Sequence, residues 1–173
     1  YYIDEIIELY DEKATAVGVR RLLEELGAKL GPKDSLLIYY AGHGYLDSSK
    51  TGFWIPVDGG LDRLAQERWL PNQQIRNYIG QMKARSVLLI ADACFSGDFL
   101  NVTRGAPPEM TSDYFRKSLR YQSRQVLSSG ASESVPDESE FARQLKTLLE
   151  SSDEPYLDPY AIFDYVRRGV GQT

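Results

Sequence analysis

The sequence predicts an α/β protein, organised as a three-layer α/β/α sandwich around a mostly parallel sheet. Short and nearly continuous apolar segments recur along the chain, and such segments are typical of strands buried on both faces. Segments with apolar residues at helical spacing lie between them. This alternation favours a parallel sheet whose right-handed crossover helices cover both faces. At 173 residues, the chain is long enough for a single domain whose core needs no disulfide.

The first half of the chain contains three predicted strands and one predicted helix. The aliphatic residues in 3–9 lack helical spacing, which favours a strand. Thr15 is suited to cap a helix whose apolar residues recur every three or four positions, and Gly31 with the proline after it ends that helix. A buried-type strand follows at Ser35–Tyr40, and a short aromatic strand follows at 52–56.

The rest of the chain contains four predicted helices, one of them a short helix around residues 114–120, and two predicted strands. Asn72 is suited to cap the first of these helices. The apolar segment Ser86–Ala91 predicts a second buried strand, and residues 124–128 predict a third. Two amphipathic helices close the chain, one over 141–149 and one that begins with Asp158 as its cap and a proline in its first turn.

Charge and composition exclude several classes of function. The chain has 20 basic and 25 acidic side chains, and the net charge of -5 argues against a nucleic-acid-binding surface. No apolar segment approaches the ~18 residues of a membrane-spanning helix, and no signal peptide is visible. We therefore expect a cytoplasmic protein with no membrane partner. One cysteine and one histidine exclude an internal disulfide and a zinc site built from those residues.

The only histidine and the only cysteine, His43 and Cys94, each lie just after a predicted apolar strand. A helix between the two strands makes them parallel, and their carboxyl ends then share the sheet edge where α/β proteins bind ligands. Because neighbouring strands lie ~4.8 Å apart, we expect the imidazole and the thiol to face each other across this edge. Gly42, Gly44 and Gly97 lie nearby and allow close backbone approach or unusual dihedral angles.

This pair of side chains is suited to nucleophilic catalysis. A cysteine thiolate is the reactive nucleophile, and an imidazole serves as its base or as a proton donor. Backbone N–H groups of Gly44 and Cys94 are candidates for holding the oxyanion of an acyl-transfer intermediate. The residues alone leave the structural alternative open, because a single cysteine is often a small buried hydrophobe and a single histidine often has a structural role.

The motifs Y-Y-A-G-H-G-Y and L-I-A-D-A-C-F-S-G-D resemble the histidine and cysteine motifs of the caspase/metacaspase superfamily. Further segments, G-F-W-I-P-V-D, R-Q-V-L-S-S-G and E-F-A-R-Q-L-K-T-L-L, are similar to those of bacterial caspase-like peptidases, the orthocaspases. The resemblance covers essentially the whole chain. It implies a caspase-haemoglobinase fold and hydrolysis of peptide bonds. By position, Cys94 is then the nucleophile, His43 is the general acid/base, and the N–H groups of Gly44 and Cys94 form the oxyanion hole.

The resemblance also assigns Asp92, two residues before the nucleophile, to the substrate-binding pocket. A carboxylate there favours a basic substrate side chain by charge complementarity, so we expect cleavage after Arg and, second, after Lys. A helix-capping or structural role is the alternative for Asp92. Two residues depart from the family pattern: Ala41 and Ala93 stand where the family usually has serine, and Ala41 removes a pocket hydroxyl.

Many metacaspases require calcium, a hard cation that binds several carboxylates. Asp58 matches one of the family's calcium positions. Gln73 and Gln74 replace an acidic pair, and Asn101 replaces a further aspartate. Because one carboxylate makes a poor calcium site, we expect activity without calcium and without any other cofactor.

We expect residues 1–173 to form a single caspase-like peptidase domain that is a fragment of a longer protein, because the family's first strand and last strands are missing. Residues 101–123 correspond to the processing loop of caspase relatives, and Arg104 is the candidate site of autocleavage. A solvated linker is the alternative for this segment. The expected partners are a protein or peptide substrate with a basic residue at the cleavage site, and regulatory or sensor domains in the parent chain or complex.

Two other functions have less support from the sequence than a peptidase. A catalytically silent caspase-like scaffold used for binding is disfavoured because both His43 and Cys94 are present. A nucleotide-binding α/β protein lacks support, since neither G-x-G-x-x-G nor G-x-x-x-x-G-K-[ST] occurs. The sequence therefore predicts a cysteine endopeptidase that uses a Cys-His dyad and forms a thioester acyl-enzyme.

Overall fold

The structure is a computed structural model and describes residues 3–60, 62–93, 121–129, 139–153 and 158–170. Both strands and helices occur along these ranges, as the hydrophobic pattern predicts. The strands are β1 (Ser35–Leu46), β2 (Gly52–Ile55), β3 (Leu70–Pro71), β4 (Ser86–Ala93) and β5 (Ser123–Ser128). The α-helices are α1 (Ala16–Lys29), α2 (Asn72–Gln81), α3 (Glu140–Ser151) and α4 (Pro159–Val170), with short 3-10 helices at Asp11–Lys13 and Arg63–Arg68.

The described strands form one mixed sheet in the order β3-β2-β1-β4-β5. β1, β4 and β5 are parallel, whereas β2 pairs antiparallel with β1, and β3 pairs antiparallel with β2. The carboxyl ends of β1 and β4 therefore lie at the same edge of the sheet. This arrangement confirms the predicted parallel core of an α/β fold.

β1 is longer than its apolar segment predicts, and its two halves have different partners. Residues 35–42 pair in parallel with β4, whereas residues 43–46 pair antiparallel with β2. The strand therefore continues through Gly42 and His43 and does not end at Tyr40. Backbone pairing with the aromatic strand β2 extends it, and this long-range contact leaves no signal in the local sequence.

Helices cover the sheet on both sides, which confirms the three predicted layers. On one face, α1 and α2 pack on the sheet through Leu23, Ile75 and Ile79, which join Val87 and Leu89 of β4 in one apolar cluster. On the other face, a second cluster joins the remaining two helices to β4 and β5; it contains Ile90, Leu127, Phe141, Leu145, Ile162 and Val166. Each buried aliphatic side chain of this kind stabilises the fold by roughly 1.5–3 kcal/mol.

The second face of β1 differs from the prediction for a strand buried on both sides. Leu37 is 55% exposed and Tyr39 is 44% exposed, although their register partners in β4 include the fully buried Ile90. α3 and α4 pack against β4 and β5, and the adjoining part of the sheet over β1 stays open in the described part of the chain. Tyr39 consequently has one side against the sheet and one side toward solvent.

Three predicted helix caps and one predicted strand can be compared with the structure. The Thr15 hydroxyl accepts a hydrogen bond from the Gly18 N–H, and the Asp158 carboxylate accepts one from the Tyr160 N–H, as predicted. The predicted cap at Asn72 is wrong, because this residue is the first helical residue of α2 and is buried without a hydrogen-bond partner in the described structure. The predicted strand over residues 3–9 is also wrong: no described strand pairs with this segment, and its isoleucines are exposed.

The side chain of Arg124 joins β5 to the end of α2. Its guanidinium and Nε donate hydrogen bonds to five backbone carbonyls, which belong to Ile79, Met82, Ala84, Arg85 and Ser123. A guanidinium has five N–H donors in a fixed fork, so it satisfies carbonyls that a helix end leaves without partners. Arg124 is therefore a structural residue at the start of a strand.

None of the helices in the described ranges is long and apolar enough to cross a lipid bilayer.

Candidate active site

His43 directly follows the last described pair between β1 and β4 and is the first residue of β1 that pairs with β2. Its Cα is the register partner of Ile55, and the preceding residue, Gly42, is the register partner of Ala93. The side chain of His43 is exposed to solvent. Its backbone carbonyl accepts a hydrogen bond of 2.8 Å from the Tyr40 hydroxyl. A side chain of the same strand therefore stabilises the backbone position of the histidine.

Tyr40 is fixed in turn by an aromatic stack and by the absence of a side chain at Gly42. The Tyr40 ring lies parallel to the Trp54 ring, with centroids 3.9 Å apart and an interplanar angle of 4°. A Cβ on Gly42 would lie 2.9 Å from the Tyr40 hydroxyl oxygen, closer than nonbonded carbon and oxygen atoms pack. Glycine at this position therefore permits the Tyr40–His43 contact. Among the described glycines only Gly60 has a positive φ, so neither Gly42 nor Gly44 adopts the left-handed backbone conformation that glycine allows.

Asp92 is a buried carboxylate at the end of β4. It is 4% exposed and is the register partner of Ala41 in β1. Its Oδ2 accepts a hydrogen bond of 3.2 Å from the Tyr39 hydroxyl, and its Oδ1 is buried with no partner in the described part of the chain. A helix-capping role for Asp92 receives no support, because the residue lies inside a strand. A buried carboxylate oxygen without a donor is energetically costly unless a ligand or another group supplies one.

Tyr39 carries the clearest electrostatic signature near this carboxylate. Partial burial, the negative charge of Asp92 and the hydrogen bond to Asp92 raise the pKa of Tyr39 to about 12, in that order of importance. Each of these effects disfavours the phenolate. The phenol is therefore a neutral hydrogen-bond donor to Asp92 over the whole physiological pH range.

The structure pairs Gly42 of β1 with Ala93 of β4, and these residues directly precede the two candidate catalytic residues. Gly44 lies in β1, where it pairs with Trp54 of β2. Ala93 is the last described residue before Cys94, which lies outside the described residues, as do Arg104, Asn101 and Gly97. Residues 101–120 of the predicted processing segment also lie outside the described ranges, and its last residues, 121–123, lead into β5.

The residues that the resemblance relates to calcium have other described partners. Asp58 accepts a hydrogen bond of 2.8 Å from the Ala16 N–H at the first turn of α1. The Gln74 carboxamide oxygen accepts from Arg20, and the Gln73 carboxamide bonds with neighbours on its own helix. No group of three or more His, Cys, Asp or Glu side chains suited to a metal ion occurs in the described ranges.

Tyr39 and Tyr40 are the site residues that sequence reasoning did not identify. Both fall inside an apolar strand segment, where an aromatic side chain is normally attributed to the core. One signal was available for Tyr39: alternate residues of a strand share a face, so Tyr39 lies on the same face as Ala41 and, through the sheet register, Asp92. Using that signal requires the register of β1 against β4, which depends on long-range pairing.

Comparison with known proteins agrees with the motifs and with the architecture. The sequence model of the caspase domain family matches residues 6–170, nearly the whole chain. No curated protein matches the chain. The α/β sandwich described above accords with the family match, and the match supports a function of the cysteine-peptidase type in general. The resemblance to the caspase/metacaspase superfamily is thereby confirmed, and the chain belongs to the caspase domain family.

Proposed function

We propose that the chain is a cysteine endopeptidase that cleaves peptide bonds after Arg and, less rapidly, after Lys. The observation that carries the proposal is the pairing of Gly42 with Ala93, because these are the residues directly before His43 and Cys94. Consecutive Cα atoms are 3.8 Å apart and paired strands ~4.8 Å apart, so this register supports an imidazole and a thiol that serve one substrate.

In the proposed reaction, the Cys94 thiol gives its proton to His43, and the resulting thiolate attacks the carbonyl carbon of the scissile peptide bond. Backbone N–H groups of Gly44 and Cys94 stabilise the oxyanion of the tetrahedral intermediate. The intermediate collapses to a thioester as the C–N bond breaks, and His43 donates a proton to the departing amine. Water then hydrolyses the thioester with His43 as the base, which restores the thiol and releases the new carboxylate.

The proposed preference for a basic substrate side chain depends on Asp92. Its burial, and the lack of a partner for Oδ1 among the residues that the structure describes, support a role as acceptor for a substrate guanidinium or ammonium group. An arginine fork meets a carboxylate in a bidentate geometry, whereas a lysine ammonium makes a point contact, which supports the order Arg before Lys. The natural partner is then a protein or peptide with a basic residue at the cleavage site. Regulatory or sensor domains of a parent protein would control access of this substrate to the active site.

Two further properties belong to the same proposal. Activity without calcium or another cofactor is supported by Asp58, whose carboxylate oxygen already accepts a backbone N–H. Autocleavage after Arg104 follows from the basic preference and from the place of this residue in the sequence. We also propose a cytoplasmic location for the protein.

The test is turnover of fluorogenic peptides that end in Arg, Lys or Asp, measured in calcium and in a calcium chelator. We expect Arg turnover to exceed Lys turnover, Asp turnover to be absent, and Cys94→Ala and His43→Ala to abolish the signal. Turnover of the Asp peptide would overturn the basic pocket while preserving the mechanism. No turnover of any peptide by a folded chain would favour the silent scaffold. Intact masses of the wild type and Cys94→Ala after incubation test Arg104, and identical masses would remove autocleavage.

A further inference from the structure

Tyr39 lies beside the proposed specificity carboxylate in a position that no catalytic step uses. Its hydroxyl is the only described side-chain donor to Asp92, at 3.2 Å from Oδ2. The two residues come from different strands, β1 and β4, and are 53 positions apart in the sequence. A bond between strands fixes the rotation of the carboxylate, because it ties one oxygen to a side chain outside the strand that bears it.

Two exposed residues of β1 border the buried carboxylate. Ala41 lies on the same strand face as Tyr39, pairs with Asp92 and is exposed. Its methyl group has no hydroxyl with which to bind Asp92, so the phenol two residues earlier supplies the hydrogen bond. Tyr39 is 44% exposed, and a solvent-accessible phenol therefore borders a carboxylate that is itself 4% exposed.

We propose that Tyr39 is a positioning residue for Asp92, which sets the plane of the carboxylate so that a substrate guanidinium binds in preference to an ammonium group. This inference rests on the proposed function of Asp92. Oδ2 accepts from Tyr39 and keeps a second lone pair, and Oδ1 has no partner among the described residues, so both oxygens have acceptor capacity for an arginine guanidinium. A fork needs a fixed carboxylate plane, whereas a lysine ammonium does not.

The test uses two small cations that differ in the relevant group. Agmatine carries the guanidinium of arginine without its carboxylate, and cadaverine carries the ammonium of lysine in the same way. Affinities for both are measured by NMR titration on the Cys94→Ala chain, which cannot turn over substrate. Tyr39→Phe removes only the hydroxyl. Tyr160→Phe is the matched control, because Tyr160 has a similar exposure of 45% and lies on α4, far along the chain from the site.

We expect Tyr39→Phe to weaken agmatine binding by about tenfold, the value of one hydrogen bond to a charged group, and cadaverine binding by much less. Asp92→Asn should abolish binding of both cations, and Tyr160→Phe should change neither. Equal agmatine affinities of the Cys94→Ala chain with and without Tyr39→Phe would overturn the role of Tyr39 alone. An equal loss for both cations would also overturn it, because this result indicates a merely structural effect. Failure of the Cys94→Ala chain to bind either cation would remove the basic pocket and the Tyr39 role with it.

Discussion

Gly42 and Ala93 are register partners in the parallel ladder between β1 and β4, at the last described pair before the strands reach His43 and Cys94. From His43 onward β1 pairs antiparallel with β2, which lies on the side of β1 away from β4. The carboxyl edge of parallel strands is where α/β proteins commonly bind ligands. The register of β1 and β4 therefore places the residues directly before His43 and Cys94 next to each other at that edge.

Replacing Gly42 by alanine tests the packing that holds the histidine. The added Cβ would lie 2.9 Å from the Tyr40 hydroxyl and 3.1 Å from its ring, so Tyr40 must move and its bond to the His43 carbonyl must break. We expect the free energy of unfolding to fall by roughly 1–3 kcal/mol and peptidase activity to fall with it. Urea denaturation and peptide turnover measure the two effects.

The control for this substitution is Gly27→Ala in α1. No atom lies within 4 Å of a Cβ added there, and alanine is the better helix former. This variant should gain ~0.5–1 kcal/mol in stability without any change in turnover. If Gly42→Ala behaved like Gly27→Ala, the proposed contact between Tyr40 and the histidine strand would have no functional importance.

Replacing Arg124 by methionine should destabilise the fold strongly. The substitution removes the side-chain donor from five carbonyls between α2 and the start of β5, of which those of Ile79 and Arg85 keep a backbone donor. Because each such bond involves a charged group, we expect a loss of at least ~2 kcal/mol in urea denaturation. Arg167→Met removes only an exposed ion pair with Asp164 and should cost less than ~1 kcal/mol. Similar losses for both variants would contradict the structural role of Arg124.

The titration of Tyr39 should depend on Asp92. The pKa of Tyr39 is raised to about 12 in the folded chain, so the stabilising Tyr39–Asp92 contact is complete below pH 10 and is lost as pH rises through 12. In Asp92→Asn two of the three causes disappear, and the pKa should fall toward 10. NMR of tyrosines labelled at Cζ, with Tyr39 assigned through Tyr39→Phe, follows the ionisation. An unchanged pKa in Asp92→Asn would show that the charge of Asp92 does not act on Tyr39.

Asp58 should contribute to stability without calcium. Its carboxylate accepts the Ala16 N–H at the first turn of α1, a position where a helix has unsatisfied N–H groups. Asp58→Ala should therefore lower the free energy of unfolding by about 1 kcal/mol in a chelator. Calcium should leave the melting temperature of the wild type unchanged. A rise in melting temperature with calcium, absent from Asp58→Ala, would instead indicate a calcium site that includes Asp58.

Much of the fold is predictable from the sequence because its signals are local. The helical spacing before Gly31, the Thr15 and Asp158 caps and the apolar segment of β4 each act within one element, and the structure contains each of them. The parallel arrangement of β1 and β4 follows from α2, the helix between them.

The remaining features depend on contacts between distant segments. Residues 3–9 have strand-like composition but no partner among the described strands, while the two-residue β3 pairs with β2 despite containing a proline. Asn72 has the composition of a cap but lies one position inside its helix. The contact between Tyr39 and Asp92 requires the register of two strands, and a single sequence does not specify that register.

The central claim is that Cys94 is a nucleophile activated by His43 in a pocket for basic side chains. The most direct measurement is intact mass spectrometry after exposure to a peptidyl-arginyl acyloxymethyl ketone, with iodoacetamide as the probe of general thiol reactivity. We predict a single adduct on Cys94 of the wild type, a rate at least about a hundredfold lower in His43→Ala, as expected for loss of a general base, and little change with iodoacetamide. Equal labelling of the wild type and His43→Ala by the arginyl probe, or no labelling of the folded wild type, would contradict the account.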